Sequence, residues 1–416
     1  MNPSQLDPTM EPVRRFLFPL TACVAAFMTA ACPATTPATN PVQASPSTPA
    51  PAAEVEPART AIQVDHHLPS RPETLTWGWF PIDKAPVLTI KSGQTVRIDT
   101  LSHAGITSDT EPVEYITALG GSREEMLQDA LDFWASRSSR PREGRNNHIV
   151  TGPIFIEGAE PGDMLEVQIL QVETRVPWGI NYTGPTSGIF STSYPGNRPD
   201  DPPLDIPRTR HLIRTGVVDG REVAFFAPNI HVPLAPFMGI MAVAPRPVVG
   251  QPGVTVPGVQ ASVPPGLYGG NMDVKDLRAG ATLYLPVFHP GALFYTGDPH
   301  GVQGDGEVSS TAIEQSLTGV FRFVLHKGKT ISVPRAENAT HYLLMGIDLD
   351  LDRAMRKAVL EVVDFLVKEK GLTRDKALSL TSIAVDFRVA EVVDTTQIVV
   401  GHIPKSLFGS GTDLGN

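Results

Sequence analysis

At 416 residues the chain exceeds the roughly 250–300 that one hydrophobic core usually serves, so two structural units or one heavily elaborated unit are expected. A net charge of −10, with Lys and Arg scattered and no basic stripe, excludes nucleic-acid binding as the main task. With 40 Pro, 36 Gly and 19% charged residues, the composition fits many short strands joined by turns better than a helical bundle.

Arg14 and Arg15 precede an apolar run from Phe16 to Ala31, the layout of a secretory signal over residues 1–31. The run is too short and wrongly flanked for a membrane span. Its end, Thr29-Ala30-Ala31-Cys32, resembles a bacterial lipoprotein signal, in which the cysteine is lipidated after cleavage. Leu20-Thr21-Ala22-Cys23 fits that signal's residue preferences better but leaves a very short apolar core, and plain secretion after Ala30 or Ala31 is the other alternative. Residues 32–60 are mostly Pro, Ala, Thr and Ser and read as an extended linker. The expected location is the cell envelope or periplasm, with any membrane contact made through a lipid on Cys32. Both cysteines, Cys23 and Cys32, lie in this leader, so the body can hold no disulfide, thiolate nucleophile or Cys-ligated zinc.

The folded region, residues 61–416, reads as β-rich over 61–340 with an α+β tail over 341–416. Residues 86–99 alternate apolar and polar positions around Ser92-Gly93, a hairpin signal. Residues 152–169 repeat the form, and residues 274–287 give a third copy, a hint of duplicated β units. A helix is expected over Arg123–Ser136, with Ser122 as N-cap and Met126, Ala130, Phe133 and Trp134 on a core-facing side. Residues 178–207, rich in Gly, Pro, Asn and Ser, read as a long loop of the kind that forms lids or binding segments. In the tail, Leu351–Lys370 has helical periodicity with Met355, Val359, Val362, Leu366 and Val367 near one face, and stops at Gly371. A second helix should follow Thr373 and run to about Leu380, then strands near 384–389 and 397–402.

The chemistry is expected in Gly297-Asp298-Pro299-His300-Gly301-Val302-Gln303-Gly304-Asp305-Gly306-Glu307. Asp298 with His300, and Asp305 with Glu307, are two i,i+2 pairs, each able to point one way from an extended chain. Gly304 and Gly306 fall on the other parity, leaving that face bare for a backbone or a substrate. Such donors suit amide hydrolysis: a divalent metal polarises the weakly electrophilic carbonyl, and a carboxylate shuttles the proton that the departing nitrogen needs. The alternatives are acids decorating an exposed hairpin, or a calcium site that only stabilises the fold. Histidines that could complete the shell include His66, His67, His103, His148, His231 and His289, and Asp273 follows a Gly pair in a turn-like segment. No Gly-x-Ser-x-Gly elbow and no Walker loop is present, which weakens serine-hydrolase and nucleotide readings.

Four segments, in order, resemble the acetamidase/formamidase family of amide hydrolases: His148–Asp163, Pro233–Pro245, Gly269-Gly-Asn-Met-Asp273, and Gly297–Glu307 with Thr311-Ala-Ile-Glu314. The resemblance implies metal-assisted hydrolysis of a short-chain amide such as formamide or acetamide to carboxylate and ammonia. It also implies a β-sandwich, jelly-roll-like body with a barrel-like β unit and a C-terminal α+β addition, in homo-oligomers. The family pattern carries over to His148, Asp273, Asp298, His300, Gln303, Asp305, Glu307 and Glu314. Of these, His148, Asp273, Asp298 and His300 are assigned to the metal, Zn2+ with Ca2+ as the alternative, and Asp305 or Glu307 to the catalytic base. Thr76 and Tyr268 stand where relatives tend to carry histidine, which implies a changed pocket wall and motivates a second reading, a non-catalytic ligand-binding envelope lipoprotein on the same scaffold.

Overall fold

The computed structural model describes residues 62–140, 147–192, 198, 200–246, 248–254 and 256–409. The signal segment, Cys23, Cys32 and the linker lie outside the described residues. In chain order the strands are β1 (His66–Leu68), β2 (Leu75–Trp77), β3 (Leu88–Ile90), β4 (Thr95–Asp99), β5 (Ile149–Ile156), β6 (Met164–Thr174), β7 (Trp178–Thr183), β8 (Thr209–Val218), β9 (Arg221–Ala227) and β10 (Ile230–Pro233). They continue with β11 (Phe237–Ala242), β12 (Gly269–Asn271), β13 (Thr282–Pro286), β14 (Phe294–His300), β15 (Leu317–His326), β16 (Arg335–Glu337), β17 (His341–Asp348), β18 (Asp386–Glu391) and β19 (Gln397–Pro404). The α-helices are α1 (Pro112–Ala118), α2 (Gln128–Ala135), α3 (Leu351–Lys370) and α4 (Arg374–Ala384).

A nine-stranded sheet in the order β1-β4-β15-β6-β13-β16-β17-β19-β18 packs on a six-stranded sheet that runs β12-β11-β14-β5-β2, with β3 beside β5. One apolar core joins them: Val96, Ile98, Leu165, Val167, Leu283 and Phe323 from the first meet Ile90, Val150, Ile154, Ile240 and Phe294 from the second. The Phe294 and Phe323 rings meet edge to face at 4.9 Å. This is the expected β-sandwich body. Where a barrel-like unit was expected, β10-β9-β8-β7 form a separate four-stranded antiparallel sheet.

Two of the three expected hairpins are instead arches between the two sheets. β3 pairs with β5 whereas β4 pairs with β1 and β15. β5 and β6 part in the same way, whereas residues 274–287 hold the single strand β13, preceded by turns. In a sandwich both arms of an arch turn one apolar face inward, so their alternation is that of a hairpin and only the partner strands tell them apart. The expected loop over 178–207 begins with strand β7, whose Trp178 and Ile180 are buried and which pairs with β8. The expected helix over 123–136 is broken into a 3-10 turn at Arg123–Glu125, where the Ser122 N–H donates to Glu125 at 2.8 Å, and then α2. Phe133 of α2 packs on Trp77 at 5.9 Å, as a core residue.

Helix α3 has the expected bounds. The Asp350 carboxylate caps it by accepting from the Arg353 N–H at 2.9 Å, and Gly371 ends it in the left-handed region at φ 69. Its buried face is Ala354, Ala358, Val362, Val363 and Leu366, and Met355 is exposed. Small residues are needed there, because a Cβ at Gly346 of β17 would collide with the Ala354 and Ala358 backbone. Among the described residues no helix is long and apolar enough to cross a membrane.

Candidate active site

Strand β14 is held between β11 and β5 and delivers Asp298 and His300 to one end of the six-stranded sheet. Around its end converge His103 from beyond β4, His148 just before β5, Asp273 after β12, Glu307 and Glu314 from the segment leading to β15, and Asp394 between β18 and β19. Asp273, Asp298, Glu307, Glu314 and His300 are all less than a tenth exposed. Asp273, Asp298 and Glu307 adopt positive φ of 47, 48 and 42, a conformation rarely held by a side-chain-bearing residue except under the constraint of its surroundings. Gly239 of β11 makes room for two of them: a Cβ there would collide with Asp273 Oδ1 and lie 2.9 Å from Asp298 Oδ2.

The cluster has two compartments. In the first, Asp298 is the hub: its carboxylate lies 3.3 Å from His300 Nε2, 3.7 Å from His103 Nδ1 and 3.9 Å from His148 Nε2. Glu314 closes it, 3.4 Å from His300 Nε2 and 3.5 Å from His103 Nδ1. The second is all oxygen, with Asp273, Glu307 and Asp394 grouped together. Glu307 bridges the two, 3.9 Å from His300 Nε2. Outer groups orient the rings. Gln303 accepts from His300 Nδ1 at 2.9 Å and is itself fixed by donating to the Asp273 carbonyl at 2.8 Å, which leaves Nε2 facing the carboxylates. Ser262 engages His148 Nδ1 at 3.2 Å, so that Nε2 faces inward. Phe237 packs edge-on against His300 at 5.2 Å.

Electrostatics set the protonation pattern. Burial disfavours charge on His300, but the Glu314 and Asp298 carboxylates outweigh it and hold the ring well above the ordinary imidazole range. Burial would raise Asp298, yet His148 and His300 hold it well below the carboxylate range. Burial pushes Glu307 well up, aided by Asp394 and Glu314 and opposed by His300. Burial and the Glu307 and Asp394 carboxylates do the same to Asp273, and burial brings Asp394 to about 7. So many buried carboxylates cannot all ionise unaided.

The residues fit a bound cation. His103 Nδ1, His300 Nε2, Asp298 Oδ1, Glu314 Oε2 and both Asp273 oxygens are buried and meet no hydrogen-bond partner. Buried polar atoms are nearly always satisfied, so a convergent unsatisfied set of imidazole nitrogens and carboxylate oxygens suits a divalent ion that replaces protons as their partner. The His-rich compartment has the donors zinc takes, and the oxygen compartment those calcium takes.

Of the residues singled out by sequence, His148, Asp273, Asp298, His300 and Glu307 meet here. Asp305 does not: it is exposed and pairs with Lys275 at 3.0 Å, so its expected role as a base is corrected. The Gly306 backbone is approached by Ala390, whose carbonyl accepts from it at 2.9 Å, while Gly304 faces open space. His103 was one of several undistinguished histidines, and Asp394 with the buried Glu391 was missed. An acid inside the apolar run Val389-Ala-Glu-Val-Val393 was the available signal for Glu391. Thr76 and Tyr268 line no wall of this site. Thr76 faces the Val150 and Trp79 carbonyls, and Tyr268 packs on Phe80 in the sandwich core and donates to the Pro264 carbonyl at 2.6 Å. The motive for a non-catalytic reading is thereby removed.

A cavity of about 540 Å³ opens beside the cluster, with His103 in its wall and Tyr182 stacked on that ring at 6.4 Å. The profile of the Acetamidase/Formamidase family matches residues 142–251 and 254–410. A formamidase-like protein of Schizosaccharomyces pombe is 32% identical over 298 residues, 60% of this chain and 64% of that protein, so the match spans just under two thirds of the relative's length. An acetamidase of Mycolicibacterium smegmatis is 30% identical over 310 residues, 55% of this chain and 71% of that one. The crystal structure of an acetamidase from Yersinia enterocolitica superposes with a TM-score of 0.65 at 27% identity, covering 83% of this chain and 93% of the other. With the profile covering more than half of the chain, and the His148–Asp163 and Gly297–Glu307 segments supplying the cluster, this protein belongs to the acetamidase/formamidase family.

Proposed function

We propose that this protein is a divalent-cation-dependent amidohydrolase that cleaves the carbon–nitrogen bond of a small linear amide, giving a carboxylate and ammonia. The observation that carries the reading is the convergence of three imidazoles with Asp298 and Glu314 beside a cavity that His103 lines, next to a buried Glu307 whose carboxyl burial pushes above its usual range. His103, His300, Asp298 and Glu314, with His148 3.9 Å from Asp298, would hold one cation, of zinc type, and Asp273 groups both with Asp298 and His300 and with the oxygen set of Glu307 and Asp394. When bound, the cation polarises the amide carbonyl and brings the pKa of a water toward about 7. Glu307, in its ionised form, would accept a proton from the attacking water and return it to the departing nitrogen, a task suited to a carboxyl whose pKa lies above its usual range. Gln303 and Ser262 keep the rings aligned, and burial excludes competing water.

The names of the relatives support amides of formamide or acetamide type. The test is ammonia release by the cation-loaded protein, repeated after chelation and after restoring zinc or calcium singly. Turnover that survives proven removal of the cation would sink the mechanism. On the sequence alone we further propose export, a lipid anchor at Cys32 and homo-oligomers. Loss of labelled-lipid incorporation in Cys32→Ser tests the anchor.

A further inference from the structure

The cavity beside His103 is much larger than formamide or acetamide requires. At about 540 Å³ it falls within the range, roughly 300–1,000 Å³, of pockets that hold far larger ligands. Its lining is rich in hydroxyl-bearing residues, among them Thr107, Ser187, Ser309, Tyr115 and Tyr182. Among the described residues that line it Arg210 is the one permanent cation, and no Asp or Glu is present. The Arg210 guanidinium lies 5.2 Å from the centre of the Tyr115 ring, and among the described residues no carboxylate comes within ion-pair reach of it. Tyr115 and Tyr182 share a hydrogen bond of 3.0 Å, and Tyr182 stacks on His103. A continuous wall therefore runs from the cluster, through two tyrosines, to the solvent-exposed Arg210 guanidinium at its outer end.

We propose that the substrate is an amide whose far end carries a carboxylate, bound by Arg210 and the cavity hydroxyls while the amide group meets the cluster. A guanidinium at the cavity with no carboxylate partner among the described residues favours an anion over a neutral tail, and its planar fork suits a carboxylate. This rests on the hydrolase reading above and narrows it. In the reaction water supplies the oxygen, the carbon–nitrogen bond breaks as the carbon–oxygen bond forms, and a monoamide monocarboxylate becomes a dicarboxylate and ammonium.

The experiment compares kcat/KM of the cation-loaded enzyme for acetamide, for the monoamides of succinic, glutaric and adipic acids, and for the neutral methyl ester of each monoamide. At least one monoamide is expected to exceed both acetamide and its own ester by about tenfold or more, the scale of a hydrogen bond to a charged group. In Arg210→Gln the acid-over-ester ratio should collapse through KM, and in Arg210→Lys it should largely persist. Esters or acetamide used as well as the acids, or an Arg210→Gln variant that keeps the ratio, would overturn the proposal. Should no amide be hydrolysed, the hydrolase reading fails by itself. Calorimetric binding of glutarate then decides this proposal: Arg210-dependent binding supports it, and its absence overturns it.

Discussion

Asp298 with His300 and Asp305 with Glu307 have the same spacing and lie seven residues apart, yet they fare differently. The first pair sits at the end of β14, where β11 pairs with Pro299 and His300 and Glu314 bridges His300 on the other side, and both side chains enter the cluster. The second lies past the strand end, where no ladder enforces alternation, so Glu307 is buried and Asp305 reaches out to Lys275. Even the first pair converges only with Asp298 in the left-handed region and Gly239 clearing space. Residue spacing has predictive force where neighbouring strands hold the backbone, and loses it where the chain turns free.

This contrast can be broken by substitution. Asp298→Asn should reduce ammonia release by more than about 10⁴-fold, beyond the usual range for losing proton transfer alone, because three imidazoles and the cation lose their common partner. Glu307→Gln should lower kcat by about 10²–10⁴-fold while elemental analysis still finds cation in the His-rich compartment. Gly239→Ala, which pushes on Asp273 and Asp298, should cost about 1–3 kcal/mol in chemical denaturation and weaken cation binding. Cation affinity of the oxygen compartment should rise with pH by up to about tenfold per unit below about pH 7 and level off above it, since Asp394 titrates at about 7 and a protonated carboxyl cannot ligate. Titration calorimetry showing pH-independent affinity would contradict that pattern. Asp305→Asn, removing one side of an exposed pair, should change kcat/KM less than about twofold and stability by under about 1 kcal/mol. A large loss there would reverse the comparison.

The elements most legible in the sequence were those with local punctuation. Helix α3 could be bounded because Asp350 and Gly371 mark its ends chemically, and the individual strands because their apolar alternation is local. Pairing was not legible, since an arch and a hairpin share one pattern, and two of the three apparent hairpins distribute their arms over two sheets. The site followed the same division. The Gly297–Glu307 run announced itself by its density of donors, whereas His103 and Asp394 come from distant loops with no nearby partner to mark them. Gly179, which helped to disguise β7 as loop, is glycine because a Cβ there would strike the Ile313 side chain.

The assembly of the cluster has a temporal side. Its donors run from His103 to Asp394, and the last of them sits between the two C-terminal strands. A ribosome that has made four fifths of the chain has not yet supplied the final carboxylate, although the imidazoles are already out. The all-oxygen compartment is therefore the last to close, when β18 and β19 dock, whereas every donor of the His-rich compartment has been made once Glu314 is in the chain.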